Sequence, residues 1–103
     1  MPATQQREIA NLLDTTQAAH GAYEEHELNG VYDQAWPAWY AAYLVEHGIG
    51  DLLGQAITAE QLARLLKQYD EDYRAQQRQE GWPIYYAAQL LAWRDAAGAQ
   101  TAP

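Results

Sequence analysis

The chain of 103 residues contains no cysteine, no phenylalanine and only one methionine. Without cysteine there is no disulfide, no thiolate nucleophile and no cysteine-bound zinc, which fits a reducing compartment, so we expect a cytoplasmic protein. The longest apolar run, residues 38–45, is far shorter than the ~20 residues that a membrane helix needs. No basic segment followed by an apolar one opens the chain, so we expect no secretory signal.

Basic residues are also scarce. Six lysines and arginines stand against fourteen aspartates and glutamates, giving a formal net charge of −8 at pH 7. Because affinity for nucleic acid comes mostly from neutralising phosphates, this balance argues against a DNA or RNA partner. A basic protein surface, or mimicry of nucleic acid, is compatible with it. The length indicates a single domain, spanning residues 1–103, that buries roughly 60–68% of its unfolded surface.

Aromatic residues are abundant in spite of the missing phenylalanine. The chain has four tryptophans and eight tyrosines. Each carries a polar tip that needs a partner when the ring is buried. A core built from these rings must therefore satisfy its hydroxyl and indole N–H groups internally or with a ligand.

One block of sequence occurs twice. Residues 36–44, WPAWYAAYL, return 46 positions later as residues 82–90, WPIYYAAQL. A matching acidic step, Tyr-Glu-Glu at 23–25 and Tyr-Asp-Glu at 69–71, begins thirteen residues before each tryptophan. This shared spacing predicts two copies of one helical hairpin. If a pseudo-twofold axis relates them, the second helices of the two hairpins contact each other or occupy equivalent positions around the core.

Apolar residues recur at spacings of three and four along most of the chain, whereas sustained apolar–polar alternation is absent. We therefore predict an all-α fold, a four-helix bundle with a tryptophan and tyrosine core. Its parts are a hairpin over about 5–48, a glycine-rich segment over 49–57 that forms a packed connector or a single turn, a second hairpin over about 58–97 and a disordered tail over 98–103.

Local residues predict where several helices begin and end. Gly30 is expected to end the first helix, whereas the sequence leaves open whether Gly21, which costs about 1 kcal/mol relative to alanine, kinks or breaks it. Asp33 is expected to cap the second helix. Thr58 with Gln61 three residues later is typical of a capping box and predicts the start of the third.

The two copies differ at four inward positions, one of which is Tyr43, where the other copy has glutamine. His20, Glu27 and His47 stand where the other copy has leucine, tyrosine and tryptophan. One hypothesis is that they line a polar pocket that binds a metal or transfers protons. The other is that they lie at the edge of the apolar face, paired or solvated. Because their spacing matches neither H-E-x-x-H nor a di-iron motif, we predict no metal site, cofactor or catalytic residue.

The aromatic residues allow a second ligand hypothesis. Their ring faces, beside the carboxylates of Glu24, Glu25, Asp70 and Glu71, suit a cage for an organic cation. The alternative is that the rings simply form the core. The candidate ligand-binding residues from both hypotheses are Trp36, Tyr40, Tyr43, Trp82, Tyr86, His20, Glu27 and His47.

Residues 32–44, YDQAWPAWYAAYL, contain the pattern W-x-x-W-Y-A-x-Y. This segment resembles one in a group of small uncharacterised bacterial helical proteins, some of which carry labels such as glyoxalase or bleomycin-resistance-like. The resemblance implies a bacterial setting and transfers no functional residue. A glyoxalase would need paired β-α-β-β-β modules, which the helical pattern contradicts.

Two functions follow from these observations. The first is a non-enzymatic interaction or scaffold module whose partner is another protein or a second copy, as a homodimer. The alternative is a protein or enzyme that binds a small molecule, cationic or metallic, in an aromatic pocket with His20, Glu27 and His47. Tight interdigitation of the repeated tryptophans and tyrosines favours the first, and a cavity with converging polar groups favours the second.

Overall fold

The computed structural model describes the backbone of residues 2–101 and the side chains of residues 4–97. Its five helices are α1 (Pro2–Glu27), α2 (Trp36–Glu46), α3 (Ile49–Leu53), α4 (Ala59–Gln76) and α5 (Trp82–Thr101). No strand occurs over residues 2–101, so the predicted all-α class is confirmed. Within this range, none of the helices has the length and apolar character needed to cross a membrane.

The structure has one helix more than the four predicted, because the connector over 49–57 contains α3. Gly48 and Gly54 flank this helix with left-handed φ angles of 92° and 69°. Ile49 and Leu53 point into the core and are fully buried. A helix of five residues is too short to give a periodic pattern, so the sequence left a packed connector and a single turn as alternatives.

The first helix ends near the predicted position. Asn29 and Gly30 adopt left-handed φ angles of 55° and 79°. The N–H of Gly30 donates to the carbonyl oxygen of Glu24 at 2.8 Å, which satisfies a carbonyl at the helix end. Gly21, where the sequence left a break open, does not interrupt α1, which runs continuously to Glu27.

One of the two predicted N-terminal helix caps is present. At α4, the Gln61 N–H donates to Oγ1 of Thr58 at 3.1 Å and the Thr58 N–H donates to Oε1 of Gln61 at 3.0 Å. Asp33, by contrast, is not the cap of α2, where Ala35 occupies that position without a side-chain cap. The Asp33 carboxylate instead accepts the Ala35 N–H on one oxygen and faces His20 with the other.

The outer ends of the chain are more helical than the sequence predicted. The backbone of α5 is helical as far as Thr101, across most of the segment expected to be a disordered tail. Residues 102 and 103 lie outside the described part of the chain. At the other end α1 begins at Pro2, three residues before the predicted start at residue 5.

The two halves of the chain are interleaved. Helix α1 packs chiefly against α5, and α2 chiefly against α4, so the first helix of each half lies against the second helix of the other. Ala41 and Ala87, the first alanine of each repeated pair, are fully buried and allow the helices close approach. The larger fully buried side chains are Ile9, Leu13, Leu44, Ile49, Leu53, Leu62, Leu66 and Leu90. Each contributes about 1.5–3 kcal/mol through burial of apolar area.

Candidate functional site

A cavity of 480 Å³ lies where α1, α2, α4 and α5 converge. This volume is within the range of about 300–1,000 Å³ that is typical of small-molecule sites. Its aromatic lining residues are Tyr32, Trp36, Tyr40, Tyr73, Trp82 and Tyr86. Its other lining residues are Gln17, His20, Gly21, Glu24, Asp70 and Arg74.

Helical spacing explains why these residues face the same space. Trp36 and Trp82 are the first residues of α2 and α5, and each precedes a proline that the first helical turn tolerates. Tyr40 and Tyr86 follow one turn later and therefore lie on the same face of their helices. On α1 and α4, the lining residues likewise recur at intervals of three and four, at 17, 20, 21 and 24 and at 70, 73 and 74.

The aromatic walls have matching geometry in the two halves. The ring centroids of Trp36 and Tyr40 are 5.2 Å apart, and those of Trp82 and Tyr86 are 4.9 Å apart. The planes in these pairs meet at 74° and 60°. Tyr40 also approaches Trp82 at 6.2 Å, which joins the two walls. The rings of each pair therefore meet roughly edge to face, and all four line the cavity.

His20 belongs to a mostly buried polar cluster beside this space. Its Nε2 lies 2.9 Å from Oδ2 of Asp33, and the two side chains are only 8% and 12% exposed. Its ring centroid lies 4.9 Å from that of Trp39 and 5.1 Å from that of Tyr40. Aromatic rings thus exclude water from the His20–Asp33 pair, which strengthens their interaction.

Two carboxylates border the cavity, one from each half. Oε2 of Glu24 accepts the backbone N–H of Asp33 at 2.9 Å. Oδ1 of Asp70 accepts Nε–H of Arg74 at 3.0 Å and the hydroxyl of Tyr86 at 3.4 Å. About a quarter of each carboxylate side chain is exposed, with values of 26% and 25%. The Arg74 side chain lies at the rim, where 73% of it is exposed.

Each carboxylate acts on a tyrosine of its own half. Burial raises the pKa of Tyr40 to about 12, and the negative charge of Glu24 adds to the rise. Burial also raises the pKa of Tyr86 well above its ordinary value, and the negative charge of Asp70 adds to it. Both hydroxyls therefore stay protonated at neutral pH.

The structure brings together five of the eight residues predicted for a ligand site: His20, Trp36, Tyr40, Trp82 and Tyr86. The other three are not in the lining. Glu27 is exposed in the last turn of α1. Tyr43 and His47 stack on each other with centroids 3.9 Å apart, and Nδ1 of His47 lies 2.8 Å from the Tyr43 carbonyl oxygen. His47 follows the last residue of α2, so the helical spacing that suggested an inward position no longer applies there.

His20, Glu27 and His47 are thus not brought together in the cavity. Among the described side chains, no group of three or more histidine, aspartate or glutamate residues is arranged to hold a metal ion. The polar pocket imagined from the sequence is instead the pair His20–Asp33 with Glu24 beside it.

Sequence reasoning named some of the remaining lining residues and missed others. Glu24 and Asp70 had been named as carboxylates near the aromatic face, and they line the cavity, whereas their neighbours Glu25 and Glu71 are exposed. Gly21 lies four positions after Gln17 and three before Glu24, so helical spacing was an available signal. Tyr32 lies between α1 and α2, where no periodicity marks it.

The cavity therefore combines aromatic faces, two carboxylates and a polar cluster, contributed by four helices and a connector. Comparisons of the chain with protein-family models, curated proteins and solved structures gave no match. The chemistry of the cavity is consequently the basis on which a function is assigned.

Proposed function

We propose that this protein is a binding module that holds a small organic cation in the cavity between its two halves. The observation that carries the proposal is the lining itself: six aromatic residues together with the carboxylates of Glu24 and Asp70. A cation is attracted to the face of a tryptophan or tyrosine ring within about 6 Å of its centroid. The negatively charged carboxylates also attract a cation, and so does the net charge of −8.

The cavity has an unequal charge distribution that favours one end. Asp70 is already paired with the guanidinium of Arg74 at 3.0 Å. Glu24 has no lysine or arginine partner among the described side chains: its Oε1 is 4.0 Å from Nδ1 of His20, and its Oε2 accepts the backbone N–H of Asp33. The less compensated charge is therefore that of Glu24, and we place the positive group of the ligand beside it, against Trp36 and Tyr40.

We also propose that the two halves are copies of one hairpin, and that the cavity arose at the axis between them. The lining residues Glu24, Trp36 and Tyr40 each have a counterpart 46 positions later that lines the same cavity. If the two halves are exchanged, the contact of α1 with α5 becomes the contact of α4 with α2, and these are the two principal contacts of the fold. The matched ring distances in the two walls support the same relation.

Binding is favoured over catalysis. The chain has neither serine nor cysteine, so the His20–Asp33 pair has no such nucleophile to activate. Nε2 of His20 is also engaged with Asp33 rather than directed at the cavity. The open space between the repeated rings favours a small ligand over a purely structural role. A protein partner, a second copy as partner and a cytoplasmic location stay predictions from the sequence.

Calorimetric titration with choline, ethanolamine and the uncharged choline isostere dimethylbutanol tests the proposal. At least one of the two cations should bind, and the isostere should bind at least tenfold more weakly. Glu24→Gln should weaken cation binding, whereas Glu25→Gln removes the same charge from the exposed neighbouring residue and should have little effect. Equal binding of cation and isostere, no binding at all, or equal effects of the two substitutions would each refute the proposal.

A further inference from the structure

The carboxylates of the cavity lining keep hydrogen-bond acceptors that no described residue uses. Oε1 of Glu24 lies 4.0 Å from Nδ1 of His20, beyond hydrogen-bond distance, whereas Oε2 accepts the backbone N–H of Asp33. Both side-chain hydrogen bonds made to Asp70 end on Oδ1, which leaves Oδ2 without a donor in the described part of the chain. Each carboxylate therefore has one oxygen available to a ligand.

The hydroxyl of Tyr40 is a further acceptor in the lining. Tyr40 is only 8% exposed, and its hydroxyl makes no hydrogen bond with the described residues. Among the described side chains no buried nitrogen or oxygen lacks a partner, so this hydroxyl lies on the accessible part of the ring, and the ring lines the cavity. Burial, and then the negative charge of Glu24, raise the pKa of Tyr40 to about 12, so the hydroxyl is protonated at neutral pH and lies within reach of that carboxylate.

A primary ammonium group can use these acceptors. It has three N–H donors, each of which needs a partner when its hydration water is removed. Oε1 of Glu24 can accept one of them in a charge-assisted hydrogen bond, and the hydroxyl oxygen of Tyr40 can accept another. The third donor can keep a water molecule, because about a quarter of the Glu24 side chain, 26%, is exposed.

A quaternary ammonium group cannot use them. It has no N–H donor, so its methyl groups displace water from the Glu24 oxygen and the Tyr40 hydroxyl without replacing the lost hydrogen bonds. Its methyl groups also hold the positive nitrogen farther from the carboxylate, which weakens the attraction between the two charges. The faces of Trp36 and Tyr40 attract both kinds of cation, so the hydrogen bonds determine which of the two binds more tightly.

From these observations, and resting on the proposed function, we infer that the ligand is a primary amine, bound as its ammonium ion, which the cavity selects over the corresponding trimethylammonium compound. Glu24 is the charged partner of the ammonium group. Tyr40 determines specificity, because it supplies a hydroxyl oxygen as well as a ring face.

The test is a methylation series: ethanolamine, its monomethyl and dimethyl derivatives, and choline, titrated into the full chain by calorimetry. All four are cations at neutral pH and carry the same hydroxyl, so they differ only at the nitrogen. Ethanolamine should bind at least about tenfold more tightly than choline, because hydrogen bonds to a charged group are lost on methylation. If choline binds within tenfold of ethanolamine, or more tightly, the inference is wrong while the proposed function stands. If no member of the series binds, both are wrong.

The removal of one hydroxyl separates the acceptor from the ring that carries it. Tyr40→Phe keeps the ring face, so it should leave choline affinity nearly unchanged and reduce the preference for ethanolamine over choline by about threefold or more. Tyr43→Phe is the matched control, because it removes a hydroxyl from the same helix at a half-buried position outside the lining. A preference that Tyr40→Phe leaves unchanged, or that both substitutions reduce equally, would overturn the inference.

Discussion

Nε2 of His20 lies 2.9 Å from Oδ2 of Asp33, across a sequence separation of thirteen residues. This contact ties the connector after α1 to the middle of that helix, and both side chains are largely shielded from water. The second half of the chain has no equivalent, because leucine and glutamine occupy the corresponding positions 66 and 79. The pair therefore fixes the segment after α1 through a contact that the residues 46 positions later cannot make.

The strength of this pair can be measured with a double-mutant cycle. His20→Leu leaves the Asp33 carboxylate without its partner, and Asp33→Asn removes its charge, so each should lower the free energy of unfolding by about 1–3 kcal/mol. The double variant should lose about 1–2 kcal/mol less than the sum of the single losses. Urea denaturation followed by circular dichroism gives all four values. Losses that add to within about 0.5 kcal/mol would show that the two side chains are not coupled.

Gly21 offers a way to fill the cavity without disturbing the fold. A Cβ built at this position meets no atom within 4 Å, although the residue lines the cavity. Gly21→Leu should therefore lower cation affinity at least tenfold. Its free energy of unfolding should not fall, because glycine inside a helix costs about 1 kcal/mol relative to alanine.

The matched control is Ala22→Leu, which places the same side chain at the next, exposed position of α1 outside the lining. It should leave cation affinity unchanged, as calorimetry can show. Unchanged affinity in Gly21→Leu would mean that the ligand binds elsewhere. A marked loss of stability in that variant would mean that the space beside Gly21 is needed by the fold.

The predictable part of the fold is the part set by periodicity. Leu62, Leu66 and Tyr69 recur at intervals of four and three and are all buried in α4. The same rule placed Trp36 and Tyr40 on one face, because a helix of eleven residues is long enough to define an inward side. For such residues, burial follows from local sequence and the need to cover an apolar stripe.

The part that sequence could not supply depends on where separate elements meet. Asp33 is a good helix cap by residue type, yet His20 and the local turn engage its carboxylate, because tertiary contact offers a buried partner. Arg74 pairs with Asp70 one turn earlier, but its place at the rim of a shared cavity depends on how α1 and α4 pack. Convergence of this kind is a property of the assembled helices rather than of any one segment.

The buried tyrosines predict a loss of stability at alkaline pH. Burial raises the pKa of both Tyr40 and Tyr69 to about 12 in the folded protein, whereas an unfolded tyrosine titrates near 10. The unfolded state therefore releases its protons first, and stability is complete below pH ~10 and falls as the pH rises towards ~12. Tyr40 alone should account for roughly 2–3 kcal/mol by pH ~12.

Urea denaturation at a series of pH values between ~8 and ~12 measures this effect. Tyr40→Phe should lose less stability over that interval than the natural protein, because it lacks one of the titrating hydroxyls. Tyr32→Phe removes a hydroxyl from a side chain that is 63% exposed and serves as the control. An identical alkaline loss in Tyr40→Phe and the natural protein would contradict the prediction.

The proposed relation between the halves predicts paired effects on stability. Leu44 and Leu90 occupy equivalent positions and are both fully buried, so replacing either by alanine should cost about 2–5 kcal/mol. Trp36 and Trp82 are only half-buried and face an open cavity, so their replacement by alanine should cost less, about 1–3 kcal/mol each. Calorimetric melting of the four variants gives the comparison.

Members of each pair should agree to within about 1 kcal/mol, since equivalent positions in copied hairpins have equivalent surroundings. Tryptophan losses as large as those of the leucines would indicate dense packing where the structure has a cavity, and unequal losses within a pair would argue against the duplication.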